Sequence, residues 1–370
     1  MSLSNLSVID ADGHVLEDQT LANYIREAPG GVRANRTMTA LFPSIDRLHN
    51  GIFARSADAF GGGKKVGPKE WGAFADEANI RYSALYPSLG LAMGNIAWGY
   101  WADVAARAYN DWLYHEYTSK NPRLKGVALL PMQDPPAAVA ELRRAKKELG
   151  FIACMLAANG LTKHLGDRSY WPIYEEAERL DMPLAVHGGN HAGYGMDTFA
   201  VYTPINGLGH PFGQMVAMSS FVFHNVFDEF PNLRVAFLEA GSGWVGLWID
   251  HMDRTYGYHI DLDPSGKPYK LGLAKPSDYF TTGRVFVGCE GSEASLPAQI
   301  KRVGNGLFMF ASDFPHEVSA KDCLHEIDEI LEYPELTEDD KRAILYRNAE
   351  SFYKYTGADI PQPVGVGAKG

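Results

Sequence analysis

Short apolar runs alternate with amphipathic stretches along most of this chain. Eight runs rich in Leu or β-branched residues have the length of strands: Leu6–Asp10, Tyr82–Tyr86, Leu124–Leu130, Ile152–Leu156, Pro183–His187, Arg234–Glu239, Val285–Gly288 and Leu307–Ser312. Apolar residues at helical spacing lie between them, most clearly over Pro136–Leu149 and Tyr170–Leu180. Strands that alternate with crossover helices predict an α/β protein with a parallel sheet, and eight of them favour a closed barrel over an open sheet.

The connection between the first two predicted strands is too long for an ordinary loop. It runs over residues 17–78, and a stretch of that length inside a compact domain is usually functional. We therefore expect an inserted lid or an arm that contacts a second subunit. Residues 1–360, including this insertion, are predicted to form one barrel domain, and residues 361–370 are predicted to be a frayed tail.

Composition and charge restrict the partners. Lys and Arg number 34 against 45 Asp and Glu, and the formal charge of −11 repels nucleic acid and anionic lipid. The uncharged stretches Ser83–Ala102 and Thr198–Phe227 contain Pro, Gly and Asn residues that suit buried segments better than membrane spans. The cysteines, Cys154, Cys289 and Cys323, lie far apart, and no signal-peptide pattern opens the chain, which indicates a cytoplasmic protein.

Potential metal ligands stand at the carboxyl ends of several predicted strands. Asp12 and His14 follow the first strand, and the intervening Gly13 lets both side chains project to one side. His187 ends the fifth strand and Asp313 follows the eighth, at the face where barrel enzymes assemble their active sites. Two imidazoles and two carboxylates suit one divalent ion such as zinc, and manganese is also compatible. Each residue alone also fits a core or turn position, so the prediction depends on all four together.

Several longer motifs are typical of one enzyme family. They are Ile9–His14, Leu85–Ser88, Tyr109–Trp112, Leu129–Pro135, Pro183–His187, Phe230–Val235 and Ser312–His316. Together they resemble the amidohydrolase-related family, the branch of the amidohydrolase superfamily that contains aminocarboxymuconate-semialdehyde decarboxylase and the metal-dependent benzoate-type decarboxylases. The resemblance extends over nearly the whole chain. It implies a distorted (β/α)8 TIM barrel, often a homodimer, with one divalent metal ion held by Asp12, His14, His187 and Asp313.

Two segments depart from the family pattern. The sixth strand of well-studied decarboxylases in this family ends in a His followed by glycines, whereas this chain has Glu239 at that position. A carboxylate there can shuttle a proton, ligate the metal or form a structural salt bridge, and these three roles remain open. The segment Met155–Asn159 lacks the Arg that many relatives carry at the fourth strand, which argues against a small diacid substrate.

Five further residues are expected to bind or position a substrate. Trp98 and Phe314 are expected to contribute to a flat apolar wall suited to a planar ring, although packed core aromatics give the same pattern. Asn159 offers a hydrogen-bond donor, and His191 lies on a loop that can face the substrate. His316 is expected to orient Asp313 through a hydrogen bond.

The leading interpretation is a metal-dependent non-oxidative decarboxylase, a carboxy-lyase, that acts on a small aromatic or unsaturated carboxylic acid. Asp313 or Glu239 would deliver a proton to carbon as carbon dioxide leaves. The first alternative is a metal-dependent hydrolase in which activated water attacks an amide, a lactone or a C–C bond with Asp313 as the base. The second alternative is a catalytically silent binding barrel, which would require an incomplete metal site.

Overall fold

The strands of the computed structural model form one parallel sheet. The structure describes residues 8–30, 42–43, 66–189, 191, 193–262, 270–316 and 318–360. Within these residues the strand order follows the chain: β1 Val8–Val15, β2 Ile80–Pro87, β3 Leu124–Leu129, β4 Ala153–Ala157, β5 Leu184–His187, β6 Val235–Leu238, β7 Val285–Cys289 and β8 Phe308–Phe310. The strands are buried along almost their whole length, as expected for parallel strands covered by helices.

The sheet closes next to the predicted metal ligands. The backbone N–H of His14 donates to the carbonyl oxygen of Phe314 at 2.7 Å, and the N–H of Asp313 donates to the carbonyl of Asp12 at 3.0 Å. These bonds join β1 to the segment that follows β8 and nearly close the ring of eight strands. The predicted (β/α)8 barrel is confirmed, and its closure brings the first and last ligand segments side by side.

Helices occupy the connections between the strands. The described helices are α1 Leu21–Glu27, α2 Pro68–Glu77, α3 Gly99–Leu113, α4 Pro135–Lys147, α5 Trp171–Arg179, α6 Tyr202–Phe223, α7 Val226–Glu229, α8 Gly243–His259, α9 Leu296–Val303, α10 Ala320–Glu332, α11 Glu338–Arg342 and α12 Asn348–Tyr353. Short 3₁₀ segments lie at Leu89–Asn95, Arg168–Tyr170, Met196–Thr198, Ile260–Leu262 and Pro276–Thr281, and wider π turns at Tyr114–Thr118 and Ala343–Arg347. Helices α4 and α5 confirm the two helices that the sequence predicts most clearly.

The start of α4 shows why the sequence forms a helix there. The side chain of Asp134 accepts a hydrogen bond from the backbone N–H of Ala137 at 3.2 Å, which satisfies one of the free donors of the first turn. Pro135 and Pro136 occupy the first helical positions, where a missing N–H leaves no bond unmade. Among the described helices, the length and apolar character needed to cross a membrane do not occur together.

The predicted end of the first strand at Asp10 is wrong, because β1 continues to Val15. The pairing with β2 is irregular between Asp10 and Gly13, and Asp12 and His14 therefore lie inside the strand. A charged residue in an apolar run usually signals the end of a buried strand. Here the strand continues, because the backbone N–H and the hydroxyl of Ser312 donate hydrogen bonds to the buried carboxylate of Asp10.

Only part of the predicted insertion over 17–78 belongs to the described residues. Its two ends contain α1 and α2, and both helices contribute buried side chains to the core. Most of its middle, and the predicted tail over 361–370, lie outside the described residues. The proposal of a lid or a subunit arm therefore stays a prediction.

Helix α2 packs against the strand segment that carries two predicted ligands. A Cβ atom added to Gly13 would lie 2.5 Å from Cη2 of Trp71 and 2.8 Å from Oδ2 of Asp10. Trp71 is fully buried, so its ring has little room to move. The glycine is therefore required for the close approach of the indole ring to β1.

We expect Gly13→Ala to lower the free energy of unfolding by about 1–3 kcal/mol, the usual effect of overpacking a dense core. Gly306→Ala is the control, since no atom lies within 4 Å of the Cβ position at Gly306. Urea denaturation of both variants measures the difference. Equal unfolding midpoints for the two variants would contradict the packing explanation.

Candidate metal centre

The predicted metal ligands meet at the carboxyl end of the barrel. His14 Nε2 lies 3.6 Å from Oδ1 of Asp12 and 3.2 Å from Oδ1 of Asp313. His187 Nε2 lies 3.3 Å from both carboxylate oxygens of Asp12. The donor atoms form two overlapping groups that share His14: one with Asp12 and His187, the other with Asp313 and His316. β1, β5 and the segment after β8 thus bring four predicted ligands from distant parts of the chain to one place.

The hydrogen bonds of His14 leave its second ring nitrogen available to a metal ion. Nδ1 lies 2.8 Å from the carbonyl oxygen of Pro87, and because a carbonyl only accepts, Nδ1 carries the hydrogen. In the neutral ring Nε2 then carries a lone pair, and this atom is fully buried and makes no hydrogen bond of standard geometry with the described residues. A buried lone pair that faces two carboxylates is unfavourable unless a cation lies between them. The donor set therefore fits a divalent metal ion.

The raised pKa of His187 reflects the negative electrostatic potential at the same site. Its Nδ1 lies 2.9 Å from the carbonyl oxygen of Gly188 and 3.1 Å from Oε2 of Glu239. Burial favours the neutral ring, but the carboxylates of Asp12 and Glu239 outweigh burial and raise the pKa of His187 to about 10. The site therefore attracts positive charge, which either a proton or a metal cation can supply.

Glu239 lies at the end of β6 in a left-handed backbone conformation, with a φ of 56°. Its Oε2 approaches Nδ1 of His187, whereas the Nε2 atom of that ring faces Asp12. The carboxylate thus contacts the side of the ring that faces away from the cluster of ligand atoms. Burial raises the pKa of Glu239 to about 8, although the nearby His187 opposes the shift.

Asp313 has the same backbone conformation, with a φ of 53°. Left-handed backbone disfavours residues with a Cβ by about 1–3 kcal/mol, and such residues cluster at functional sites. Burial alone would raise the pKa of Asp313, but His316 and His14 outweigh it and hold that pKa well below its usual range. Two carboxylates in strained backbone therefore flank the candidate centre.

His316 connects Asp313 to the rest of the barrel. Its Nδ1 lies 2.9 Å from Oδ1 of Asp313, and its Nε2 lies 2.7 Å from Oγ of Ser88. The hydroxyl hydrogen of Ser88 points to the carbonyl of Val15 at 2.8 Å, so the Ser88 oxygen accepts from His316. Both ring nitrogens of His316 thus face acceptors. This arrangement agrees with the predicted orienting role, and the sequence did not identify Ser88 as its partner.

Asp10, for which the sequence predicted no role, supports the site through hydrogen bonds from Ser312. Its Oδ1 accepts from the N–H of Ser312 at 2.9 Å and from the N–H of Asp12 at 3.3 Å. Burial raises the pKa of Asp10 to about 6, although the bonds from Ser312 oppose the shift. The carboxylate ties β1 to the segment that carries Asp313. Its place in the motif Ile9–His14, two residues before Asp12, was the available signal.

The residues predicted to contact substrate have different surroundings. Trp98 is 56% exposed, and its ring centroid lies 5.0 Å from that of Tyr100. The Phe314 ring stacks on Phe74 at 3.9 Å, and no ring contact joins it to Trp98 among the described residues. Asn159 is buried beside α6. The predicted wall of Trp98 and Phe314 is therefore not a single stacked surface.

His191 belongs to a chain of side chains that reaches the candidate centre. Its Nε2 lies 2.9 Å from Nε2 of His210, and Nδ1 of His210 lies 3.5 Å from Oε2 of Glu239. Burial, together with His191 and His187, holds the pKa of His210 well below its ordinary value. The sequence predicted no role for His210, because a histidine within a long apolar helix gives no pattern that distinguishes it.

A (β/α)8 barrel with histidine and carboxylate side chains gathered at the carboxyl ends of its strands has the architecture of a barrel enzyme with a candidate metal site. Residues 9–355 match the family model described as Amidohydrolase, and the chain belongs to that family. The expected resemblance to this superfamily is confirmed.

Three relatives illustrate the match. Gamma-resorcylate decarboxylase from Rhodococcus jostii (strain RHA1) is 30% identical over 267 residues, which cover 68% of this chain and 77% of that protein. 2-Amino-3-carboxymuconate-6-semialdehyde decarboxylase from Dictyostelium discoideum is 28% identical over 264 residues, with 70% of each chain covered. The crystal structure of 5-carboxyvanillate decarboxylase from Novosphingobium aromaticivorans, with bound manganese and 3-methoxy-4-hydroxy-5-nitrobenzoic acid, superposes with a TM-score of 0.73 at 17% identity. That superposition covers 95% of this chain and 98% of the other.

Proposed function

We propose that this protein is a divalent-metal-dependent, non-oxidative decarboxylase of a small aromatic or unsaturated carboxylic acid. The observation that carries the proposal is the buried, bare Nε2 of His14, which faces the carboxylates of Asp12 and Asp313 beside His187. The curated relatives described above, which are decarboxylases of such acids, support the same reaction.

We assign the metal to Asp12, His14, His187 and Asp313. Two nitrogen and two oxygen donors suit zinc, and manganese, which the related crystal structure contains, is the alternative. When bound, the ion supplies a positive charge that holds the carboxylate or a neighbouring hydroxyl of the substrate and stabilises negative charge in the transition state.

The reaction needs one proton at the carbon that loses the carboxylate. The C–C bond to the carboxylate breaks, carbon dioxide leaves, and both bonding electrons stay on the substrate carbon. That electron pair then forms the new C–H bond with the proton. We propose Asp313 as the residue that moves this proton, because Nδ1 of His316 lies 2.9 Å from its carboxylate and can return a proton to it. Glu239 is the second candidate for the proton donor, and its carboxylate lies 3.1 Å from Nδ1 of His187.

The predicted substrate contacts Trp98, Asn159, His191, Phe314 and His316 remain proposals. Two of them, His191 and His316, have hydrogen bonds that lead towards Glu239 and Asp313. We propose that these two act on the catalytic carboxylates in addition to any contact with substrate.

We also propose a homodimer in the cytoplasm. Cys154, Cys289 and Cys323 are all free and buried, which suits a compartment that keeps thiols reduced. Light scattering coupled to size-exclusion chromatography measures the mass in solution, and a mass equal to one chain would contradict the dimer.

Metal analysis and carbon dioxide release from hydroxybenzoates test the proposed function together. We expect about one equivalent of zinc or manganese per chain, loss of activity after chelation, and recovery when either ion is returned. Metal without carbon dioxide release from a panel of phenolic acids would favour the hydrolase instead. Protein without metal after expression in supplemented medium would contradict the ligand assignment.

A further inference from the structure

Two histidines outside the proposed ligand set lie in line with Glu239. His191 follows β5, and His210 lies on α6. Their Nε2 atoms are 2.9 Å apart, and Nδ1 of His210 lies 3.5 Å from Oε2 of Glu239. His191 is 3% exposed and the side chain of His210 is 12% exposed, so bulk water has little access to these contacts.

The contacts determine where the hydrogen atoms lie. An ionised Glu239 only accepts hydrogen bonds, so the form of His210 that stabilises this charge carries its hydrogen on Nδ1, which faces Glu239. Nε2 of His210 is then an acceptor, and Nε2 of His191 must be the donor across the 2.9 Å contact. The opposite assignment would place a bare nitrogen against the carboxylate of Glu239.

The contact between Nδ1 of His210 and Oε2 of Glu239 is longer than a normal hydrogen bond. Nδ1 of His210 and Oε2 of Glu239 are both buried, and neither makes a hydrogen bond of standard geometry within the described part of the chain. Catalytic hydrogen bonds are often long in the absence of substrate and shorten in the reacting complex. A shift of about half an ångström would convert this contact into a hydrogen bond.

Two glycines make the approach of the histidines possible. A Cβ atom at Gly188 would lie 2.2 Å from Nδ1 of His210, and one at Gly209 would lie 2.4 Å from Cδ2 of His191. Both distances are far below van der Waals contact, so any side chain at either position would displace an imidazole ring. The absence of side chains at Gly188 and Gly209 therefore allows the two imidazole rings to contact each other beside Glu239.

We propose that His210 is a positioning residue for Glu239, and that His191 sets the tautomer of His210 whose Nδ1–H points at the Glu239 carboxylate. The expected effect of His210 on the reaction rate rests on the proposed decarboxylase function. The tautomer of His210 does not depend on that function, because it is a property of the folded chain. Because a hydrogen bond from Nδ1 fixes one carboxylate oxygen, it limits the rotation of the Glu239 side chain beside His187.

Two substitutions at position 210 separate the two contacts of the ring. Asparagine places an amide near the position of Nδ1 and removes Nε2, whereas glutamine reaches the position of Nε2 and removes the group near Nδ1. We expect His210→Gln to lower kcat by about 10- to 100-fold with KM within about twofold, and His210→Asn to retain kcat within about threefold. Equal losses in the two variants would overturn the proposal.

Two further variants serve as controls for folding and location. Gly209→Ala leaves no space for the His191 ring, so we expect a lower kcat, and thermal unfolding of the same variant shows whether the barrel remains folded at the assay temperature. His224→Gln changes a histidine at the end of the same helix, where the ring packs against His164, and we expect wild-type kcat. Wild-type kcat in Gly209→Ala would contradict a role for the histidine pair.

Nuclear magnetic resonance of nitrogen-labelled histidine in the zinc-loaded protein tests the tautomer without any turnover. The His210 signals are assigned by their absence in His210→Asn. We expect hydrogen on Nδ1 of His210 in the wild-type protein, and a changed tautomer balance in His191→Phe. Hydrogen on Nε2 of His210 would overturn the proposal. A protein that shows the expected tautomer but decarboxylates no phenolic acid would contradict the proposed function and leave this assignment standing.

Discussion

Replacing His187 with alanine is expected to remove the bound metal ion and to abolish turnover. Its Nε2 faces the carboxylate of Asp12 at 3.3 Å, so the substitution takes away one of two imidazole donors. A bound metal ion contributes several kcal/mol to a transition state, and a loss of about 4 kcal/mol lowers the rate about a thousandfold. Mass spectrometry of bound metal and the rate of carbon dioxide release measure the two effects.

His224→Ala is the matched control for this variant. His224 is half-buried at the end of α6, with its ring centroid 4.1 Å from that of His164. We expect this variant to retain both metal and turnover. Near-ultraviolet circular dichroism and thermal unfolding establish whether the barrel of each variant is folded. A folded His187→Ala protein with wild-type metal stoichiometry would show that His187 is not a ligand.

The second large effect is expected at Asp313, where Asp313→Asn should lower kcat by about 10²- to 10⁴-fold. Asparagine has nearly the same size and keeps an oxygen that can face His14, but its amide cannot carry a proton between His316 and a substrate carbon. The kcat and KM of metal-saturated protein, with the metal content measured on the same sample, give the result.

Glu239→Gln provides the comparison that identifies the proton donor. Both substitutions replace a carboxylate by its amide at a strand end with left-handed backbone, so their effects on the fold are matched. We expect Glu239→Gln to lose less activity than Asp313→Asn, because Glu239 contacts the Nδ1 side of His187. A larger loss in Glu239→Gln would assign the proton to Glu239.

The barrel could be predicted from the sequence because its evidence is local. Each strand is a short apolar run, and strands such as β5 and β7 keep the predicted position to within one residue. The error at β1 has a physical cause. The strand contains charged residues whose partners, such as Ser312, lie near the other end of the chain, so the local pattern signalled an end at Asp10.

The grouping of the four proposed ligands could also be anticipated, because the topology of a parallel barrel places all carboxyl strand ends on one face. A histidine or aspartate at such an end is therefore near the others whatever the connections contain. Asp12, His14, His187 and Asp313 follow this rule, and the structure brings them within a few ångströms of one another.

The supporting contacts could not be read from the chain, because each depends on how a helix or loop packs on the sheet. His210 comes from the interior of α6 and reaches Glu239 only because Gly188 and Gly209 allow two rings to approach. Ser88 reaches His316 across the closure of the barrel. The spacing of apolar residues along the sequence identifies which positions are buried, and the residue types identify which side chains can bind a metal. The distances between side chains on different elements follow from packing, and these distances assign each polar group its partner.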